Sequence, residues 1–122
     1  MQRVTPILRI FDVAKAREFY GDYLGFGWDW EHRFDDGAPL YAQVSRDGVA
    51  LHLSEHHGDC CPGAAIRLHW PDVAALHAEL SAKNYRYARP GLEAVPWGEW
   101  QLGIHDPFHN RLVFFTRNGE GG

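Results

Sequence analysis

The stretch PILRIFDVAKAREFYGDYLGF, residues 6 to 26, reads as a short apolar strand followed by a helix. Asp12 stands at a helix N-cap position, and Val13, Ala16, Phe19, Tyr20, Tyr23 and Leu24 recur at helical spacing, with Gly25 able to end the helix. A second stretch, AIRLHWPDVAALHAELSAKN from residue 65 to 84, has the same order. Here Pro71 is pre-set for the first turn, and Val73, Leu76 and Leu80 share one helix face. The helix starts FDVA (11–14) and PDVA (71–74) lie 60 residues apart, which marks a candidate repeat of half the chain.

The elements that follow each helix also repeat. After the first come FGWDWEHRF (26–34), in which Phe26, Trp28, Trp30 and Phe34 alternate, then LYAQVSR (40–46) and VALHLSE (49–55). The last two are joined through Asp47-Gly48, a strong hairpin signal. After the second helix come YRYAR (85–89), WQLGIH (100–105) and RLVFFTR (111–117), the last two separated by the turn-rich DPFHN (106–110). The order strand, helix, strand, strand, strand therefore occurs twice, which predicts an α+β fold of two βαβββ modules. Each module is expected to form a mixed sheet with a helix on one face, leaving the other face open and curved by sheet twist. Two such faces are expected to meet around a cleft or against a partner. The expectation is a single domain over 1–122, with module 1 at about 1–58 and module 2 at about 63–117.

Composition narrows the function. The 122 residues are 45% apolar, enough to bury a core, and carry a net charge of -4 without a basic patch. Nucleic acid is thereby disfavoured as a partner, and a cationic ligand is favoured over an anionic one. No run of 18 apolar residues and no secretory signal is visible, so neither a membrane span nor export is expected and the expected location is the cytoplasm. Cys60 and Cys61 are adjacent, which offers no disulfide framework and agrees with a reducing compartment. Neither cysteine sits in an activating environment for nucleophilic catalysis.

The paired layout resembles the vicinal oxygen chelate superfamily, which includes glyoxalase I, extradiol dioxygenases and the bleomycin resistance proteins. PILRIFDVAKAREFYGDYLGF is similar to the opening of the bleomycin resistance branch, and PWG (96–98) followed by DPFHNRLVFF (106–115) resembles its PWG and DPxGN ending. His109 departs from that pattern, standing where the turn usually has glycine. The resemblance implies a homodimer in which the first strand is exchanged between protomers across the proline matching Pro6, each cleft being completed by both chains. It also implies where the metalloenzymes of the superfamily would hold a divalent ion: the positions matching Thr5, Ala65, Val113 and His52. Only His52 is a ligand residue, and one imidazole cannot hold a catalytic divalent ion, so neither the familial metal nor any other cofactor is expected.

The densest ligand chemistry lies in LHLSEHHGD, residues 51 to 59. His52 alternates with Leu51 and Leu53 and should face the open side of its sheet, with Ser54 after it. His56 and His57 read either as a solvated connection between modules or as a lip of the cleft, where Glu55 and Asp59 would offer charge to a cation. Trp28, Trp30, Trp97 and Trp100 match segments that border the cleft in the related resistance proteins, and flat aromatic walls suit planar or cationic ligands. Arg9, Arg67 and Arg111 also look inward by alternation, so the sign of the cleft stays open. The candidate ligand-binding set is His52, Ser54, Trp97, Trp100, Trp30, His69 and Phe115, with Trp97 the leading contact and no catalytic residue.

Three functions compete. The first is a binding protein that sequesters a bleomycin-type glycopeptide or a similar aromatic cation without covalent chemistry. The second is a metal-dependent lyase or dioxygenase of the same superfamily, using His52 with partners such as His69 or His105. A small-metabolite sensor, differing from the first only in its ligand, is the third.

Overall fold

The structure, a computed structural model, describes residues 4–33, 35–56, 58–59, 63–85, 90–96 and 98–117. Residues Phe34, His57, Cys60, Cys61, Pro62 and Trp97, and the stretch 86–89 of the expected strand YRYAR, lie outside them.

The chain divides into two compact units, Met1–Ala64 with Pro107–Asn110, and Ala65–Asp106 with Arg111–Gly122. The first holds strands β1 (Ile7–Arg9), β2 (Gly27–His32), β3 (Tyr41–Arg46) and β4 (Val49–Ser54) in the order β1-β4-β3-β2. The second holds β5 (Ala65–His69), β6 (Gly91–Val95), β7 (Glu99–His105) and β8 (Arg111–Arg117) in the order β5-β8-β7-β6. In each sheet the first strand pairs parallel with the last and the remaining pairs are antiparallel. The fold is therefore α+β, two mixed four-stranded sheets each accompanied by one helix.

Helix α1 begins at Val13 with Asp12 as its N-cap, the Asp12 carboxylate accepting from the Lys15 backbone N–H at 3.0 Å. After Ala16 it widens into a π-helix over Arg17–Tyr23. The Leu24 N–H donates to the Phe19 carbonyl, five residues back, and Gly25 closes the end in the left-handed region at φ 77°. Phe19, Tyr20 and Tyr23 are all buried on this widened turn, Phe19 meeting Tyr20 edge-on at 5.0 Å and Tyr23 at 5.6 Å. Apolar residues at i, i+1 and i+4 suit an α period equally well, so periodicity does not disclose the π turn.

Helix α2 (Val73–Ala82) starts two residues later than a proline at its first position would put it. Asp72 is the N-cap, accepting from the Ala75 N–H at 3.1 Å, and Pro71 lies outside the helix. Val73, Leu76 and Leu80 are its buried face, as the spacing predicts. The Asp47-Gly48 hairpin also forms as predicted, with both residues at positive φ (51° and 83°).

Among the described residues the strand that follows α2 is β6 (Gly91–Val95), a segment for which the sequence alone offers no strand pattern. The segment GLEAV has weak strand propensity, and its pairing with β7 brings Leu92 beside Leu102 and Glu93 beside Gln101, whose side chains bond at 2.7 Å. Neighbour pairing, not local preference, makes this strand.

Between β7 and β8, the turn Pro107–Asn110 belongs by its contacts to the first unit. Phe108 packs 6.2 Å from Phe11, and the fully buried Asn110 donates through Nδ2 to the Arg9 carbonyl at 2.8 Å. His109 takes the glycine conformation at φ 70°. A side chain there carries roughly 1 kcal/mol of local strain, so His109→Gly is expected to raise stability by up to about 1 kcal/mol in urea unfolding.

Candidate ligand-binding site

The two faces of the first sheet differ in chemistry. The register sets Val44 beside Leu51 and Ala42 beside Leu53, and all four are fully buried. The intervening residues Tyr41, Gln43, His52 and Ser54 occupy the opposite face, with Gln43 beside His52 and Tyr41 beside Ser54. His52 thus stands on the open side, as alternation predicts.

Strand β2 departs from simple alternation. Trp28 pairs with Val44 and Trp30 with Gln43, so Asp29 is an extra residue in a bulge. The bulge sends the two tryptophans to opposite faces. Trp28 lies on the helix side, with the Arg17 guanidinium 4.3 Å from its ring and its Nε1 donating to Glu31 at 3.1 Å. Trp30 joins the open face, stacking on Tyr41 (6.1 Å, 16° between planes) and meeting His52 edge-on at 5.4 Å. Trp30 remains 43% exposed, an aromatic wall with a bare side.

Below that wall is a hollow of about 440 Å³ lined by Trp30, His32, Tyr41, His56 and Asp59. Ser54, fully buried, does not line it: its hydroxyl donates to Asp59 Oδ2 at 2.5 Å and accepts from the His56 N–H at 3.0 Å. Ser54 thereby fixes the segment that carries two lining residues. Tyr41 and His32, absent from the expected site, are the residues that sequence reasoning missed. Applying to β2 and β3 the alternation used for His52 would have found Tyr41, since Ala42 and Val44 lie on the core side of the same strand.

A line of polar side chains crosses the same face. Tyr41 Oη lies 2.7 Å from His52 Nδ1, His52 Nε2 lies 3.0 Å from Gln43 Oε1, and Gln43 Nε2 donates to Asp29 Oδ2 at 3.0 Å. Hydrogen bonds from Ser45 and then Gln43 hold the Asp29 carboxyl below the ordinary aspartate range. Burial pushes the Tyr41 phenol up, and the nearby Asp59 charge adds to this, so Tyr41 keeps its proton. Followed by NMR, Asp29 is expected to titrate below an ordinary aspartate and to move back up in Gln43→Leu.

On the second sheet the expected residues separate. His69 pairs with Phe115, their rings 5.2 Å apart, and the Arg67 guanidinium stacks on Phe115 at 4.1 Å while bonding the buried Glu99. Trp100 pairs with Thr116, next to Phe115 in sequence, and so stands on the opposite face, 47% exposed. Trp97 lies outside the described residues.

The superfamily's metal ring can be tested against these residues. Both ring nitrogens of His52 are engaged by Tyr41 and Gln43, and the residue beside it on β1 is Ile7. Val113 pairs with Arg67, and Ala65 with Arg111. No carboxylate or second imidazole stands at those positions, so the residues present do not fit a divalent ion. Among the described residues no group of three or more His, Cys, Asp or Glu is arranged around a common centre. Elemental analysis of protein purified without chelators is expected to return well below one ion per chain.

Among the described residues no helix is long and apolar enough to cross a membrane. No curated protein matches the sequence significantly. Solved structures do match in fold. TnmS3, an antibiotic binding protein from Streptomyces sp. CB03234, is 24% identical over 97% of this chain and 98% of its own, with a TM-score of 0.77. A bleomycin resistance determinant encoded on the transposon Tn5 is 20% identical over 96% and 98%, with a TM-score of 0.76. A bleomycin-binding protein complexed with bleomycin is 20% identical over 97% and 100%, with a TM-score of 0.75. The sequence profile described as Glyoxalase superfamily protein matches residues 1–121, and with the paired βαβββ sheets this makes the chain a member of the glyoxalase superfamily.

Proposed function

We propose that this protein binds a small molecule without changing it covalently, as the bleomycin-type members of the fold do, and that its ligand is a planar aromatic carrying positive charge. The carrying observation is the half-bare Trp30 ring stacked on Tyr41 above a hollow that Asp59 lines. A flat π wall with a carboxylate nearby suits an aromatic cation, and each such stacking or cation–π contact contributes about 0.5 to 2 kcal/mol. Two of the structural neighbours bind, respectively, an antibiotic and bleomycin, which supports this class of ligand. In this reading Trp30 is a ligand contact, His52 orients Tyr41, and Ser54 orients Asp59. Within the second unit His69 and Phe115, clustered with Arg67, are proposed as ligand-binding residues in their own right, as is Trp97; Trp100 falls on the other face of its sheet. The protein acts as a homodimer that exchanges its first strand at Pro6, in the cytoplasm. The metal-dependent lyase or dioxygenase reading lacks a fitting ligand set.

The test is a fluorescence titration with metal-free bleomycin. Trp30→Ala is expected to weaken binding by about 1 to 2 kcal/mol, roughly five- to thirtyfold, with the circular dichroism spectrum retained. Equal affinity in the variant would remove Trp30 from the site and this reading with it.

A further inference from the structure

The polar line on the open face of the first sheet has a direction, and its donors and acceptors can be assigned in order. Asp29, held ionised by the bonds from Ser45 and Gln43, can only accept. The Gln43 amide must therefore turn its NH2 toward Asp29 (3.0 Å), which leaves its carbonyl oxygen facing His52 Nε2 at 3.0 Å. A carbonyl oxygen only accepts, so His52 carries its proton on Nε2. In the neutral ring Nδ1 is then a lone pair, and the only hydrogen available to fill the 2.7 Å contact is that of the Tyr41 hydroxyl. A hydroxyl has one proton. With it committed to His52, what the Tyr41 oxygen offers the hollow is a lone pair.

From this we propose that Asp29 sets the hydrogen-bond polarity of the pocket through Gln43 and His52, making Tyr41 an acceptor that selects ligands bearing an N–H or O–H donor over ligands bearing an acceptor there. The proposal rests on the binding reading above and deepens it by naming the chemistry of the ligand edge. Tyr41 lines the hollow and determines specificity; Asp29 does not line it and acts through two intermediates, as a positioning residue. Asp59, a carboxylate on the same hollow, is an acceptor too, so the two polar oxygens agree. The bulge in β2 is what makes the arrangement possible. Without the extra residue, strict alternation would put positions 29 and 30 on opposite faces, whereas here Asp29 reaches Gln43 on the face that Trp30 also occupies.

Carbazole and dibenzofuran provide the probe pair, since both are neutral, planar and of one shape, and differ in presenting an N–H donor or an oxygen acceptor at the same point. Wild-type protein is expected to prefer carbazole by roughly fivefold, the usual worth of one hydrogen bond. Asp29→Asn, which can donate as well as accept and so lets the line run either way, is expected to bring the ratio toward one while leaving the fold intact. Tyr41→Phe should do the same. Independently of any ligand, the 15N spectrum of His52 at pH 8 is expected to show the Nε2–H tautomer in wild type and a mixture in Asp29→Asn. An Nδ1–H tautomer in wild type, equal affinity for the two probes, or an unchanged ratio in Asp29→Asn would overturn the proposal. Failure of both probes to bind would overturn the selectivity proposal, while the bleomycin titration separately decides the binding reading and the tautomer spectrum the direction of the line.

Discussion

Phe114→Ala is expected to destabilise the protein by about 3 to 5 kcal/mol, the range found when a fully enclosed aromatic ring is removed from a core that cannot collapse around the gap. Phe114 is fully buried, meets Trp70 edge-on at 5.0 Å, and is flanked across the sheet by Leu68 and Leu102. Those neighbours sit on different strands or their ends, so no single side-chain rotation refills the space. A domain of this size has a total stability of about 5 to 15 kcal/mol, so the variant should unfold in urea at a much lower midpoint. Phe115→Ala provides the contrast. Phe115 points to the other face, where it stacks with the half-exposed Arg67 and with His69 and keeps 8% of its surface exposed, and its removal is expected to have a smaller effect. Equal losses at the two positions would mean that the faces of β8 are not distinguished as described.

The second large effect is expected at Thr116, where a single hydroxyl joins three elements. It accepts from the backbone N–H of Val73, in the first turn of α2, at 3.0 Å and donates to the Trp70 carbonyl at 2.9 Å. Helix N-termini leave four N–H groups without intrahelical partners, and here Asp72 satisfies one and Thr116 another. Thr116→Val keeps the shape and deletes both bonds, leaving a buried donor and a buried acceptor unmatched. The expected loss is about 1 to 3 kcal/mol, with Thr116→Ser recovering most of it because the hydroxyl returns. Thermal unfolding followed by circular dichroism measures both. A Val variant as stable as wild type would show that water replaces the hydroxyl at no cost.

These two residues also mark how far local reasoning reaches. The alternation in RLVFFTR says that Phe114 and Phe115 point apart, and the helix spacing names Val73, Leu76 and Leu80 as a buried face; both are facts of period and need no partner. That the hydroxyl of Thr116 caps a helix 43 residues away is not visible in either segment. The candidate site divides the same way. His52 can be assigned to the open face because Leu51 and Leu53 flank it, while alternation groups Trp28 with Trp30 because nothing in WDW announces a bulge. Tyr41 and Gln43 are legible by the same alternation but carry no motif that draws attention to them.

The repeat of βαβββ order, the Asp12 cap, the Asp47-Gly48 turn and the face of His52 follow from sequence alone, because each depends on backbone preference and a short period within a few residues. The π turn of α1, the strand at Gly91–Val95, the left-handed His109 and the bulge that frees Asp29 are set by contacts within the folded units. Each of these four runs against or beyond local preference, and each persists because packing or ladder pairing with residues distant in the chain outweighs about 1 kcal/mol of local propensity.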